Sequence, residues 1–513
     1  MVWSIDQPQC NESRKIVWEV APYLRGRGLD IGAGDFRVLP HAITVDNGHH
    51  AAFGFSHKPD IVAEANDLFM FASQSMDWVF SSHTLEHVED MTATLKEWWR
   101  VIKQGGYLVL YLPHKDFYPN IGTYGSNPDH KRDFVPEDVI GVMPRGWDLL
   151  DMQERNNDDE YSFLLIFRKL NSNVNTRSYL VPKASKRACV VRYGAFGDIL
   201  QASSVFAGLK DEGFEVTVFA SPPGSDVILH DHHIDRLVLF DKDQVPNGDL
   251  VKFWRWQARK FDRFVNLSES VEGTFLALHD RIQHAWPPAL RHRMMDRNYL
   301  EHQHELAGIP HRPQVHFYAT EEEKRWARKI RAKMGAGPVI MYSLSGSSVH
   351  KTWAGMDSII AGLMIHYPTA HVVLVGGPEC VILEQGWENE PRVHKTSGKW
   401  SIRQSLSFLD QCHLVMGPET GVLNAVACVP VPKIVFLSHS THENLTRDWL
   451  SVTPIWSKKT SCPKRPDGVP ACHILHYSWE HCTKDEVTST AQCQADIDSA
   501  EVWDAVEAAL GKV

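Results

Sequence analysis

Two regions of this chain place glycines and carboxylates where an apolar stretch hands over to a helix. A backbone can close there on a nucleotide or an anion. The first region is Asp30-Ile31-Gly32-Ala33-Gly34, with Asp46 ending the next apolar stretch and Asp67 beyond it. Gly32 and Gly34 let the backbone approach a ligand, and the Asp46 carboxylate is placed to accept both hydroxyls of a ribose. Asp67 stands on the loop that would contact an adenine ring. Histidines then gather where the chain leaves apolar stretches: His83 and His87 in SSHTLEHVED, His114 after YLVLYLP, and His130 further on. An imidazole titrates near neutral pH, so each could take a proton from an acceptor group. His87 equally reads as a structural member of its LEHV turn.

The second region begins with VVRYGAFGDIL, where Asp198 stands at a helix start. By itself it reads as a cap, since Asp is a favoured one. Downstream, Ser343-Leu344-Ser345-Gly346-Ser347-Ser348 follows an apolar stretch and Lys351 comes shortly after. Small hydroxyls, a glycine and a lysine in that order make a diphosphate cradle. Glu379 lies beyond HVVLVGG, and Glu419-Thr420-Gly421 separates HLVMGP from a helical stretch. Asp496-Ile497-Asp498 reads as a cap, so no metal is assigned. Cys462, Cys472, Cys482 and Cys493 are spaced by ten, ten and eleven residues, unlike the close cysteine pairs of zinc sites. Free thiols are the first reading, with disulfides or a metal as the others.

The elements that must hold these residues form two blocks. In the first, about 15–170, LDIG, AITVD, MDWVFSS, YLVLYLP and DEYSFLLIFRKL read as strands. VEDMTATLKEWWRVIKQGG reads as an amphipathic helix closed by its Gly pair. Short apolar strands alternating with helices imply a parallel sheet covered on both faces. Residues 171–186 are polar and aperiodic, a linker. The second block restarts with ACVVRYG, EVTVFAS and RLVLF. Its Trp-, Arg- and His-rich middle, 252–303, has no clean strand and reads as a packed helical insertion, with an acceptor-cleft lining as the alternative. TEEEKRWARKIRAKMGAG is a helix with an acidic start and a basic end. PVIMYSLSG, HVVLVGG, HLVMGPETG and PKIVFLS then supply a further strand series. Two lobes are expected, 187–325 and 326–513.

A chain of 513 residues has room for about three domains. With 43% hydrophobic and 23% charged residues, disorder as the main state is excluded. The net charge of −10 argues against a nucleic-acid backbone as partner, but not against nucleotides. Nine cysteines are too few for a disulfide scaffold. No apolar stretch approaches the roughly 20 residues of a membrane span, and residues 1–20 lack a signal-peptide core. A soluble cytoplasmic protein without a transmembrane segment is expected.

LDIGAG, TVD, AEANDLF, MDWVFSSHTLEHVED, RVIKQGGYLVLYLPH and DHKRDF occur in order over about 30–135. Together they resemble the class I S-adenosylmethionine-dependent methyltransferases of the type 11 branch. The resemblance implies a Rossmann-like domain that binds S-adenosyl-L-methionine through Asp30, Gly32, Gly34, Asp46 and Asp67. His83 and His114 would then face the methyl group from the acceptor side, in line for displacement.

RYGAFGDILQASSVFAGLK, SLSGSSVHKTW, VVLVGGPE and MGPETGVLNAVA, over about 187–510, resemble glycosyltransferase family 9, the ADP-heptose:lipopolysaccharide heptosyltransferases. That resemblance implies a GT-B architecture of two Rossmann-like lobes and inverting transfer from a nucleotide-diphosphate sugar. Asp198 would be the base, and Ser347, Ser348 and Lys351 would hold the leaving diphosphate. Glu379 would hold the ribose, with Glu419, Thr420 and Gly421 also on the donor-binding side, the last two at the sugar or phosphate. Lys351 and helix N-termini can supply the positive field without a metal. Two positions depart from the family. Glu419 replaces its usual Asp and, one methylene longer, is expected to crowd a sugar contact; Asn424 replaces its usual His. The donor sugar therefore stays open. The whole reads as a bifunctional α/β transferase acting on a surface glycan or glycoconjugate. The rival reading is a glycosyltransferase whose first domain is a silent acceptor-binding module.

Overall fold

The apolar stretches of the first block become strands covered on both faces. In the computed structural model, β1 (Gly28–Ile31), β2 (Ile43–Asp46), β3 (Ile61–Val62), β4 (Met76–Ser82) and β5 (Ile102–Pro113) pair in parallel. β6 (Trp147–Asn157) and β7 (Glu160–Lys169) complete the sheet, with β7 antiparallel to both β5 and β6. The order is β3-β2-β1-β4-β5-β7-β6. The pleat sends alternate residues to opposite faces. Trp78 and Phe80 of β4 therefore meet Ile16, Val17 and Val20 of the helix Ser13–Val20, while Val79 joins Leu95 and Trp98 of the helix Met91–Val101. β1 lies between β2 and β4, so the crevice at its carboxyl end is the topological switch point where such sheets bind ligands.

The structure describes residues 12–48, 58–157, 160–171, 175–176, 186–240, 245, 250–268, 287, 296–346, 351–459 and 482–511. They fall into two units, 1–185 with 238–260, and 186–237 with 261–513. Most of the expected linker, 171–186, lies outside the described residues; Thr176 bridges to Asp148.

One helix end differs from expectation. The helix Met91–Val101 does not run to the Gly pair, because Ile102 already belongs to β5 opposite Met76. Its last carbonyls are taken by tertiary contacts, with Gln74 N donating to Arg100 O at 3.0 Å and Ser75 N to Val101 O at 2.9 Å. Gly105, at φ 78°, lies inside β5 where its pairing with β4 shifts register between Met76 and Trp78.

In the second unit, β8 (Lys186–Arg192) pairs in parallel with β9 (Phe214–Ala220) and with β11 (Arg263–Asn266), and β10 (Arg236–Leu239) edges the sheet beyond β9. β12 (Val339–Ser343), β13 (His371–Val375), β14 (Val393–Lys395), β15 (Leu414–Pro418), β16 (Lys433–Phe436) and β17 (Val452–Ile455) form a second, parallel sheet. Its order, β14-β13-β12-β15-β16-β17, is the Rossmann order 3-2-1-4-5-6. The chain is thus α/β throughout, a Rossmann-like first domain followed by two Rossmann-like lobes, the GT-B plan. β11 corrects the reading of 252–303 as strandless. Its four residues are too few to show a period, and pairing with β8 makes them a strand.

The helix Leu250–Ala258 and the two residues after it, Arg259 and Lys260, belong to the first unit. There Lys260 Nζ donates to Glu19 Oε1 at 2.7 Å, and Gln257 Nε2 donates to Trp18 O at 3.4 Å. The Glu19 side chain is fully buried and also pairs with Arg155 and Gln153. A buried carboxylate that loses one of two cationic partners is only partly compensated. Lys260→Ala is expected to destabilise the first unit by about 1–3 kcal/mol, read from urea unfolding of the full chain. An unchanged unfolding midpoint would mean that Arg155 and Gln153 suffice.

Candidate functional site

The glycine loop after β1 fits a ligand cradle. Gly32 has φ 74°, and a Cβ there would lie 1.9 Å from Thr84 Oγ1, so both conformation and space demand glycine. Gly34 also has positive φ, 51°. Asp46, at the end of β2, takes the Gly34 N–H on Oδ2 at 3.3 Å and the Gly48 N–H on Oδ1 at 2.9 Å. Its carboxylate is thereby fixed beside the loop. Asp30 is buried in β1; Oδ2 accepts the Val38 N–H at 2.7 Å, and Oδ1 has no hydrogen-bond partner among the described residues. Burial, with a smaller push from Asp46, lifts its pKa to about 7 against the pull of Val38 and Arg37. The structure therefore brings Asp30, Gly32, Gly34 and Asp46 together. Asp67 is exposed on the turn after β3, and no hydrogen bond joins its carboxylate to the others among the described residues.

Histidines line the carboxyl ends of β4 and β5. His83 follows β4 with φ 49°, its N–H donating to Tyr111 O at 2.8 Å. Its Nε2 bonds Ser162 Oγ at 2.9 Å. Burial first, then the positive charge of Lys15, lowers its pKa to about 3. A ring that holds protons this weakly is a neutral hydrogen-bond partner at pH 7 rather than the base that its type suggested. His114 follows β5, buried and stacked on Phe117 with ring centroids 4.2 Å apart. Its Nδ1 accepts the Asp116 N–H at 3.1 Å, which places the proton of the neutral ring on Nε2. His87 and His130 meet edge to face, with centroids 4.8 Å apart. Between them and His83 lies Glu86, on the turn Leu85–His87, completely buried and with its pKa raised to about 8 by that burial. Sequence reasoning passed over Glu86. The only signal was an acid set between Leu85 and His87 in a turn directly after a buried strand.

In the second unit, Asp198 occupies the first turn of the helix Phe196–Asp211. Oδ2 accepts the Ala195 N–H at 2.9 Å; Ala195 is the N-cap and Asp198 the third helical residue reaching back to it, so the cap reading shifts from the N-cap position to N3. Oδ1 accepts from Arg192 Nη2 at 3.0 Å, and Arg192 is buried. Gly194 has φ 128°, and a Cβ there would lie 2.4 Å from Asp198 Oδ2. The two lobes touch through glycines. A Cβ on Gly197 would come 2.9 Å from Asn424 Nδ2, and one on Gly421 would come 2.9 Å from Phe196 Cβ. Asn424 Oδ1 accepts from Gln201 Nε2 at 2.9 Å across the same junction. Thr420 Oγ1 lies 2.8 Å from Ser343 Oγ at the ends of β15 and β12.

Glu419 turns away into the loop after β16, accepting the Ser438 N–H at 2.6 Å and the Ser440 hydroxyl at 3.1 Å, with His439 Nδ1 at 2.9 Å. Burial opposes its charge, but His439 together with Lys351 and the Ser438 N–H holds it well below the usual carboxylate range. Lys351 is half-buried, its carbonyl accepting the Gly346 N–H at 3.0 Å. Glu379 is exposed at the start of the turn Pro378–Glu384, folded over Gly377. Ser347 and Ser348, like Cys462 and Cys472, lie outside the described residues. Cys482 and Cys493 are half-buried.

Residues 29–110 match the family model described as a methyltransferase domain. The matched residues lie in the first unit. Its glycine loop and the carboxylates that flank it fall within the matched residues. No curated protein matches the chain. Among solved structures, the chain is similar to a glycosyl transferase family 9 protein from Veillonella parvula, with 15% identity, 64% of this chain and 98% of that one covered, and a TM-score of 0.46. It is similar to E. coli ADP-heptose LPS heptosyltransferase II, with 14% identity, coverage of 64% and 99%, and a TM-score of 0.43. A SAM-dependent methyltransferase from Archaeoglobus fulgidus is 16% identical, with coverage of 31% and 95% and a TM-score of 0.24.

Asp30 gives the first unit a pH signature. Its folded-state pKa of about 7 lies above the ordinary carboxylate value, so the native state holds a proton that the unfolded chain releases. Stability therefore falls as pH rises from about 4 to about 7 and then levels. Asp30→Asn should remove this component. Relative to the variant, the wild-type domain should lose up to ~4 kcal/mol between pH 4 and pH 8. Urea unfolding across that range checks it; parallel curves for the two proteins would show that Asp30 ionises freely.

Proposed function

We propose that this chain is a bifunctional transferase, combining S-adenosyl-L-methionine-dependent methyl transfer with inverting glycosyl transfer from a nucleotide-diphosphate sugar to a glycan or glycoconjugate. For the methyl step, the supporting observation is the Gly32 cradle with Asp46 fixed beside it at a topological switch point. The residues present fit the cofactor: the cradle is closed to any Cβ, and a carboxylate stands ready for ribose hydroxyls. When bound, S-adenosyl-L-methionine supplies an electrophilic methyl group. Asp46 would hold the ribose, Gly32 and Gly34 would admit the cofactor's backbone-facing edge, and Asp67 would stand on the adenine side. His83 would orient the acceptor as a neutral hydrogen-bonding group, and His114 would stand with it on the acceptor side.

For the glycosyl step, Asp198 is the proposed base, held at a helix start beside the junction of the lobes. Removal of the acceptor proton would accompany attack on the anomeric carbon and departure of the diphosphate. Lys351, Ser347 and Ser348 would receive that diphosphate, Glu379 the ribose, and Thr420 and Gly421 the sugar or phosphate. Glu419 would act by anchoring the 438–440 loop. The weak proton affinity of His83 favours a second reading, in which the first domain binds an acceptor without methylating it.

Two measurements separate these readings. S-adenosylhomocysteine should bind the full chain, and Asp46→Ala should weaken it by roughly 1.5–3 kcal/mol through loss of charge-assisted hydrogen bonds. Calorimetry showing no binding to the wild type would favour the silent module. Asp198→Asn should keep donor binding and lower sugar transfer by roughly 10²–10⁴-fold, whereas Lys351→Ala should weaken donor binding itself. Normal turnover in the Asn variant would leave Asp198 as a cap and an ion-pair partner only.

A further inference from the structure

Glu86 has surroundings that the proposed transfer reactions do not use. Its side chain is fully enclosed, and neither carboxylate oxygen has a hydrogen-bond partner among the described residues. A buried carboxyl group without a donor is costly. What surrounds it instead is a ring of imidazole nitrogens. His87 Nε2 and His130 Nε2 each lie 3.9 Å from Oε1, and His83 Nδ1 lies 3.6 Å away. Glu86, His87 and His130 can offer one ligand atom each, all within 4.8 Å of one another.

These atoms come from different parts of the chain. Glu86 and His87 follow β4, whereas His130 comes from the loop after β5. That loop is pinned to the turn by the Lys131 N–H, which donates to Glu86 O at 2.8 Å. The juxtaposition is therefore built by the backbone and does not wait for an ion. We propose that Glu86, His87 and His130 bind a divalent transition-metal ion of the zinc class. Two imidazoles and one carboxylate are a donor set that zinc takes with a fourth position left open, and cobalt substitutes in it. Zinc–nitrogen bonds of about 2.0–2.1 Å place tetrahedral ligand atoms ~3.3 Å apart. The side chains therefore need to close inward by about an ångström or less. His83, in contact with Glu86 but tied to Ser162, would stand as an outer partner of the carboxylate. The other cluster of this kind among the described residues, Asp231, His232 and His233, consists of consecutive residues. Asp231 Oδ1 there is already occupied by the His233 N–H at 2.9 Å and by His233 Nδ1 at 2.8 Å.

The proposal does not rest on methyl transfer, and its test needs no substrate. Metal-stripped full-length protein is titrated with Co²⁺, followed by visible absorption, and with Zn²⁺, followed by calorimetry. The expected result is one tight ion per chain with the intense absorption of four- or five-coordinate cobalt. Glu86→Gln preserves shape while removing the charge, and His130→Asn removes a nitrogen ligand without touching the buried acid. Each should weaken binding at least tenfold, while Asp231→Asn should leave it unchanged. Metal-free melting curves identify which variants remain folded, and one folded variant of the first two suffices. Absence of the cobalt band in the wild type, undiminished binding in a folded Glu86 or His130 variant, or loss only in Asp231→Asn would overturn the assignment.

Discussion

Carboxylates anchored by backbone N–H groups at the ends of parallel strands are the constraint on which both candidate sites depend. Asp46 takes the N–H groups of Gly34 and Gly48, Asp30 that of Val38, Asp198 that of Ala195, and Glu419 that of Ser438. A parallel strand ends in a loop whose N–H groups have no ladder partner, and an unpaired buried N–H is expensive. A carboxylate satisfies it and is held in place by the same bond. Each such group retains acceptor capacity beyond the bonds it makes, because a carboxyl group has more lone pairs than these bonds use. Structural anchoring and ligand contact are therefore compatible in one side chain.

Glycine is the other half of the arrangement. At Gly32 the competing atom is a threonine hydroxyl; at Gly194 it is the Asp198 carboxylate itself; at Gly197 and Gly421 it is the facing lobe. In each case the backbone comes within a distance that a Cβ forbids. The positive φ of Gly32 and Gly194 adds a conformational reason. Asp198 shows how closely the two halves are coupled, since its capping geometry exists only because Gly194 leaves the space empty.

Burial divides the ionisable groups according to their partners. Glu419 stays charged in the interior because an imidazole, hydroxyl and amide donors and a nearby lysine converge on it. Asp30 and Glu86, which have few or no donors, are pushed toward neutrality instead. His83, buried beside positive neighbours, loses its proton affinity. The same residue types thus acquire opposite states from their surroundings, and composition cannot report this.

Much was legible in the sequence. LDIGAG followed by TVD located the glycine loop and the carboxylate beside it, because only glycine meets the φ and space requirements at Gly32. The alternation of short apolar strands with helices gave three α/β sheets, since strands buried on both faces must be apolar throughout. Tertiary structure decided the rest. The helix Met91–Val101 ended where β4 could pair with Ile102 rather than at its glycines, and RFVN became a strand through β8. The reach of Glu419 into the 438–440 loop, the Arg192 partner of Asp198 and the enclosure of Glu86 by three histidines all join residues far apart in the chain or set by burial. Local propensity and spacing cannot encode such contacts, because they exist only once separate strands lie side by side.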